Sequence, residues 1–249
     1  MYALITGASS GIGKAMAYEL AKRGYNLILV ARREKELLAL KTNLETQYSV
    51  HSVVITTDIS SQENCKKLHN DVLSLNPEIV INNAGFGRVG LFSSIDLDNE
   101  ISMIQTNILA VQTLTKLFAQ SMKNGVILNV ASMAGMLPTP LMATYAATKS
   151  YVLNFSRAVN YELKKSKSNV RVLTLNPGPV ETEFGSVAQT KQKMKGMSAE
   201  RCAKIAIKGL LRRKSVIVPG FSMKLMRVLI KFIPMDLILP IAYRIQNKK

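Results

Sequence analysis

Short apolar runs alternate with longer amphipathic ones along most of this chain. YALIT (2–6), NLILV (26–30), HSVVITT (51–57), PEIVI (77–81), GVILNV (125–130) and VRVLTL (170–175) are too short for helices and rich in aliphatic residues. Near-continuous apolar runs of that length suit strands covered on both faces. Between them lie helical patterns such as GIGKAMAYELAKRG, which closes at Gly24, and ATYAATKSYVLNFSRAV. Further on, SAERCAKIAIKGLLRR with Ser198 as its cap, then SVIVP (215–219), continue the alternation. The pattern predicts α/β architecture: a doubly wound sheet of about seven parallel strands with helices on both faces. No linker or repeat divides the 249 residues, so 1–249 is read as a single domain.

Two segments break the rhythm. Glu183 to Met197 is polar, basic and weakly periodic, and with the helix after it makes residues 183–214 a candidate lid. Residues 222–249 form a basic amphipathic extension in which Lys224, Arg227 and Lys231 fall at i, i+3 and i+7 beside apolar neighbours. Charges, Pro234 and Pro240 interrupt it too often for a membrane span. It is left with three roles: covering a pocket, packing on a second subunit, or lying in a membrane interface.

Charge sharpens that picture. The net charge is +17, and residues 185–249 alone hold fifteen Lys/Arg against two acids, Glu200 and Asp236. The excess at that end points to an anionic substrate, an acidic carrier or an anionic membrane surface, with a solvated basic face as the alternative left open. Nucleic acid is not expected, because the basic stretch lacks interleaved aromatics and any helix-turn-helix, finger or RNP pattern. Cys65 and Cys202 are far apart and lack metal-site spacing, so neither a disulfide framework nor a bound metal is expected. With the first strand starting at residue 2, the expectation is a cytoplasmic protein with no signal peptide, possible membrane association resting on the tail alone.

The first strand, glycine turn, helix and second strand form a dinucleotide-binding unit, the start of a Rossmann fold. Gly7 suits the sharp exit from the strand, Gly11 the approach of a pyrophosphate, and Gly13 close packing of helix on sheet. Ser9, Ser10 and Ile12 complete the loop. Gly7 to Gly11 also reads G-x-S-x-G, but a nucleophile elbow needs a later His, and His51 and His69 both lie in the first third. A P-loop fails at Ala8 and Ala15. Where an NAD site carries an acid, this chain has Ala31-Arg32-Arg33, so Arg32 or Arg33 is placed to accept a 2′-phosphate and NADP(H) is the expected cofactor.

Tyr145 and Lys149 are four residues apart on a predicted helix and therefore share a face, with Ser132 thirteen residues before Tyr145. A phenol, an ammonium that lowers its pKa and a hydroxyl together suit a carbonyl. Any long helix supplies such a pair by chance, so the pair gains weight only from its company. TGASSGIG, NNAG (82–85), Asn107, Ser132, Tyr145-x-x-x-Lys149 and PGPVET (177–182), in this order, resemble the short-chain dehydrogenase/reductase family from residue 2 to about residue 184.

The resemblance implies an NADP(H)-dependent oxidoreductase that reduces a ketone or aldehyde, or oxidises the matching alcohol. It makes Tyr145 the acid/base, Ser132 the partner of the carbonyl oxygen, and Lys149 the residue that tunes Tyr145 and holds the ribose. Asn107 anchors a water. Asp58 and Ile59 lie at the adenine, Asn83, Ala84 and Gly85 at the adenosine side, and Pro177, Gly178, Val180 and Thr182 at the nicotinamide. A homodimer or homotetramer is expected. A nucleotide-binding regulatory protein on the same fold, without turnover, is the competing reading. Met133, Met136, Met142, Met194 and Met197, with Phe86, Phe92, Leu137 and Phe184, are candidates for an adaptable apolar pocket, which favours a bulky or acyl, lipid-like substrate.

Overall fold

A computed structural model describes residues 1–190, 196–230 and 232–247, so Met194 and Lys231 lie outside the described residues. The strands are β1 (Tyr2–Thr6), β2 (Asn26–Ala31), β3 (Ser52–Thr56), β4 (Pro77–Asn82), β5 (Gly125–Val130), β6 (Val170–Leu175), β7 (Val180–Glu181), β8 (Met197–Ser198) and β9 (Val216–Ile217). The helices are α1 (Gly11–Ala21), α2 (Glu34–Tyr48), α3 (Gln62–Val72), α4 (Leu97–Ile104), α5 (Ala110–Ser121), α6 (Ala143–Lys165), α7 (Phe184–Val187), α8 (Ala199–Leu211), α9 (Phe221–Leu229) and α10 (Met235–Asn247).

Seven strands form one parallel sheet in the order β3-β2-β1-β4-β5-β6-β9. The pleat divides each apolar run between two cores. Ala3, Ile5, Leu27 and Leu29 face α1, α2 and α8 through Leu20, Leu40 and Ile207. Leu4, Ile28 and Val80 face α3 and α5 through Leu68 and Phe118. This is why the strands are apolar throughout rather than alternating. The order in which successive strands are added reverses between β1 and β4, which opens a crevice at the strand carboxyl ends.

The last strand is shorter than the SVIVP pattern suggests, only Val216–Ile217, because it meets β6 at just two positions on the sheet edge. The tail is two helices rather than one stripe, broken before Pro234, with Pro240 inside α10. The candidate lid contains the short α7, and β8 pairs with β7, Met197 N donating to Pro179 O at 3.0 Å. Among the described residues, no helix is long and apolar enough to cross a membrane.

Candidate active site

A cavity of about 720 Å³ runs across the carboxyl ends of the strands. One end is the β1–α1 turn. Gly7 has φ +66, and a Cβ on Gly13 would sit 2.3 Å from Gly7 O, so the helix can approach the strand only without a side chain there. Asn83 donates its side-chain amide to Thr6 O at 3.0 Å and Gly7 O at 3.2 Å, which ties this turn to β4. Thr6 Oγ1 accepts from Asn83 N at 3.0 Å and Ala84 N at 3.1 Å. Thr6 is a supporting residue the sequence reading passed over, signalled only as the polar end of YALIT.

The start of α1 fits a phosphate. Ser10, its N-cap, makes no side-chain cap hydrogen bond and no acid occupies the first turn, whereas α3, α4 and α8 are capped by Ser61, Asp96 and Ser198. Uncapped N–H groups at the positive end of the helix dipole are a ready anion site. Ser9, Ser10, Gly11 and Ile12 line the cavity there, and Gly13 lies behind them.

At the end of β2, Arg33 reaches Ser9 Oγ at 3.1 Å and forms a 3.0 Å ion pair with Glu183 across the cleft. Arg32 pairs with Asp58 at 3.6 Å, both well exposed. Burial pushes the Asp58 carboxyl up, but hydrogen bonds from Ser60 and the Arg32 charge outweigh it and hold the group below its ordinary value. Ile59, Ala84 and Gly85 also face the cavity. Nothing in the spacing signals the Arg33–Glu183 pair, whose members are 150 residues apart.

The opposite end holds the chemistry-bearing side chains. Ser132 follows β5 and caps a short 3-10 turn, its Oγ accepting from Ala134 N at 3.1 Å while also hydrogen-bonded to Tyr145. Tyr145 and Lys149 sit one turn apart on α6, and Lys149 Nζ donates to Val130 O at 2.9 Å, 5.8 Å from the Tyr145 ring centroid. The acidities correct one expectation. Burial pushes the Tyr145 phenol up to about 12, with the Ser132 hydrogen bond opposing, and pushes Lys149 down to about 8. The net shift of Tyr145 is upward because desolvation dominates, and the Lys149 ammonium is turned to the Val130 carbonyl.

Asn107 is wholly buried in a π turn, Gln105–Leu109, between α4 and α5, and does not line the cavity. Its amide is spent on Phe86, accepting from N at 3.1 Å and donating to O at 2.9 Å, and on Thr148 Oγ1 at 3.1 Å. A water held by Asn107 therefore has no free side-chain N–H to use, and the side chain instead fixes the chain beside Gly85. Pro177, Gly178, Val180 and Thr182 line the wall after β6.

Of the apolar candidates, Met133, Met142, Leu137, Phe86 and Phe184 line the cavity, and the Phe184 ring lies 5.3 Å from that of Tyr145. Met136 packs against the Val152 cluster, Met197 joins the main core, and Phe92 is exposed, so these three are not lining residues. Met223, Met226, Ala242, Ile245 and Gln246 also line the cavity, so α9 and α10 roof it, one of the three roles the sequence left to the tail. Met223 presses on Gly178, where a Cβ would lie 2.5 Å from its sulfur.

The chain belongs to the short chain dehydrogenase family, whose sequence profile matches residues 1–193. A very-long-chain 3-oxoacyl-CoA reductase of Mus musculus is 35% identical over 214 residues, covering 83% of this chain and 67% of that protein. Among solved structures, a short-chain dehydrogenase from Sphingobium yanoikuyae in complex with NADPH is 31% identical, with a TM-score of 0.82 and 88% of each chain covered. A bulky-bulky ketone specific alcohol dehydrogenase from Comamonas testosteroni is 28% identical, with a TM-score of 0.78 and 94% of each chain covered.

Proposed function

We propose that this protein is an NADPH-dependent reductase of a ketone carried on an acyl or comparably bulky apolar substrate. The observation that carries the reading is a single cavity with uncapped helix N–H groups and two arginines at one end and Ser132, Tyr145 and Lys149 at the other. The names of the mouse and Comamonas relatives, a 3-oxoacyl-CoA reductase and a bulky-ketone dehydrogenase, point the same way.

The residues present fit a dinucleotide. The N–H groups of Gly11, Ile12 and Gly13 would take the pyrophosphate, and Arg32, Arg33 and Ser9 a 2′-phosphate. Asp58, Ile59, Asn83 and Ala84 would flank the adenosine, and Pro177, Val180 and Thr182 the nicotinamide. When bound, the cofactor supplies the hydride. Tyr145 donates its proton to the carbonyl oxygen, a role suited to a phenol that burial keeps neutral at physiological pH. Ser132 hydrogen-bonds the same oxygen as negative charge develops on it. Lys149, protonated below about pH 8, would hold the ribose hydroxyls and would stabilise the phenolate once the proton has left.

A panel of 3-oxoacyl thioesters and bulky ketones, assayed with NADPH and NADH, tests this. Tyr145→Phe is expected to lower kcat by about a hundredfold to ten-thousandfold while leaving NADPH binding intact, the scale of a lost positioned acid. Arg33→Ala should weaken NADPH roughly 10- to 100-fold, the scale of a lost charge-assisted contact, and leave NADH unchanged. Normal NADPH binding by wild type with no turnover across the panel would assign the chain to the regulatory reading instead.

A further inference from the structure

Helices α9 and α10 present two different surfaces. Their inner side supplies Met223, Met226 and Ile245 to the cavity. Their outer side is apolar and uncovered: among the described residues, twelve of the 23 exposed large hydrophobic side chains lie between Phe221 and Ile245. That concentration, in roughly a tenth of the chain, is far from the single scattered side chains of an ordinary surface. Phe221 is 82% exposed and Phe232 78%, and α9 contains no buried residue. Met226 and Ile245 line the cavity and are also exposed, so the cavity mouth opens on this face.

The charges around the face select its occupant. Lys224, Arg227 and Arg244 belong to the same two helices, whose only acid is Asp236. Among the described residues, none of the three basic side chains is in an ion pair. A second copy of the chain in an isologous contact would oppose one net basic face to another, three cations against one acid on each side, which is unfavourable. An anionic lipid surface instead meets both features, apolar side chains at the acyl boundary and cations at the phosphates. Neither helix is long and apolar enough to cross the bilayer.

We propose that the outer face of α9 and α10 seats on an anionic membrane surface, with Phe221, Leu225 and Phe232 in the headgroup region and Lys224, Arg227 and Arg244 at lipid phosphates. The cavity mouth at Met226 and Ile245 then opens towards the bilayer. Entry of substrate from the membrane rests on the acyl-substrate reading; the docking itself does not.

Co-sedimentation of the full chain with phosphatidylcholine vesicles, with and without phosphatidylserine, tests the docking. The chain binds the anionic vesicles, binding weakens as salt rises, and Phe221→Glu/Leu225→Glu and Lys224→Glu/Arg227→Glu each lower it by about tenfold or more. These side chains do not line the cavity, so NADPH titration and turnover of a small soluble ketone remain at wild-type levels and report that the variants fold. A wild type that turns over no ketone yet binds vesicles keeps the docking and sinks only the reductase reading. Absence of binding to anionic vesicles, or equal binding by both double variants, overturns the docking. So does a concentration-dependent dimer, without vesicle binding, that Phe221→Glu/Leu225→Glu disperses.

Discussion

The floor and the roof of the cavity are made of different material. The floor stands on β5 and α6, where Leu128 and Val152 are fully buried and Lys149 is 4% exposed with its ammonium hydrogen-bonded. The roof, α9 and α10, has Ile238 as its only buried residue, and most of its apolar side chains face outward. Proton transfer needs donors held in place before substrate arrives, and a packed floor provides that. Admission of a bulky substrate needs a surface that yields, and methionine-rich helices with little buried area provide it.

The sharpest way to break the contrast is to cut a large side chain from the floor. Leu128→Ala, at the centre of the parallel sheet, should cost about 3–4 kcal/mol, because the buried methyls are lost and neighbouring strands cannot collapse into the gap. Urea unfolding checks it, and a loss no greater than that of a surface substitution would mean the sheet is not the rigid part.

Lys149 shows what the floor gives up for function. Burial lowers its amine from 10.5 to about 8. Below the folded value both states hold the proton and the burden of burying the charge is fully present. Between about pH 8 and 10.5 the unfolded chain binds more protons, so folding stability rises with pH through that window. Lys149→Met removes this dependence. Its stability advantage over wild type should therefore shrink by about 3 kcal/mol between pH 8 and 10.5, at 1.36 kcal/mol per pH unit. The difference in urea unfolding free energy between the two proteins isolates it, and a constant difference across the window would place the amine in a solvated setting.

How much of this was written in the chain also divides at the roof. The strands, their parallel arrangement and the glycine turn were legible because both-face burial leaves continuous apolar runs and a close helix approach demands Gly13. Ser132, Tyr145 and Lys149 were legible as a set because each falls at a strand end or on one helix face. The acidities were not, since spacing shows that Lys149 is near Tyr145 but not that desolvation outweighs the charge. Nor was the Arg33–Glu183 pair, which depends on where two loops meet after the sheet has formed. The roof was least legible of all: apolar residues on every side of α9 gave no clue that Met223 turns inward to Gly178 while Phe221 turns out.

The smallest expected effect is the most telling for the comparison. Ile238 is the one buried residue of α10, and an isoleucine truncated to alanine in a packed core would cost about 2–5 kcal/mol. Here the helix around it is exposed, and Pro240 interrupts its hydrogen bonding from within. A weakly held helix opens on its own rather than with the whole domain, and a substitution inside it moves only the local opening. Ile238→Ala should thus shift global unfolding by about 1 kcal/mol or less while amide exchange in 235–247 speeds up and exchange in β5 stays unchanged. Equal acceleration in both segments, with a global loss matching that of Leu128→Ala, would make floor and roof one cooperative unit and remove the basis for treating the roof as the yielding side.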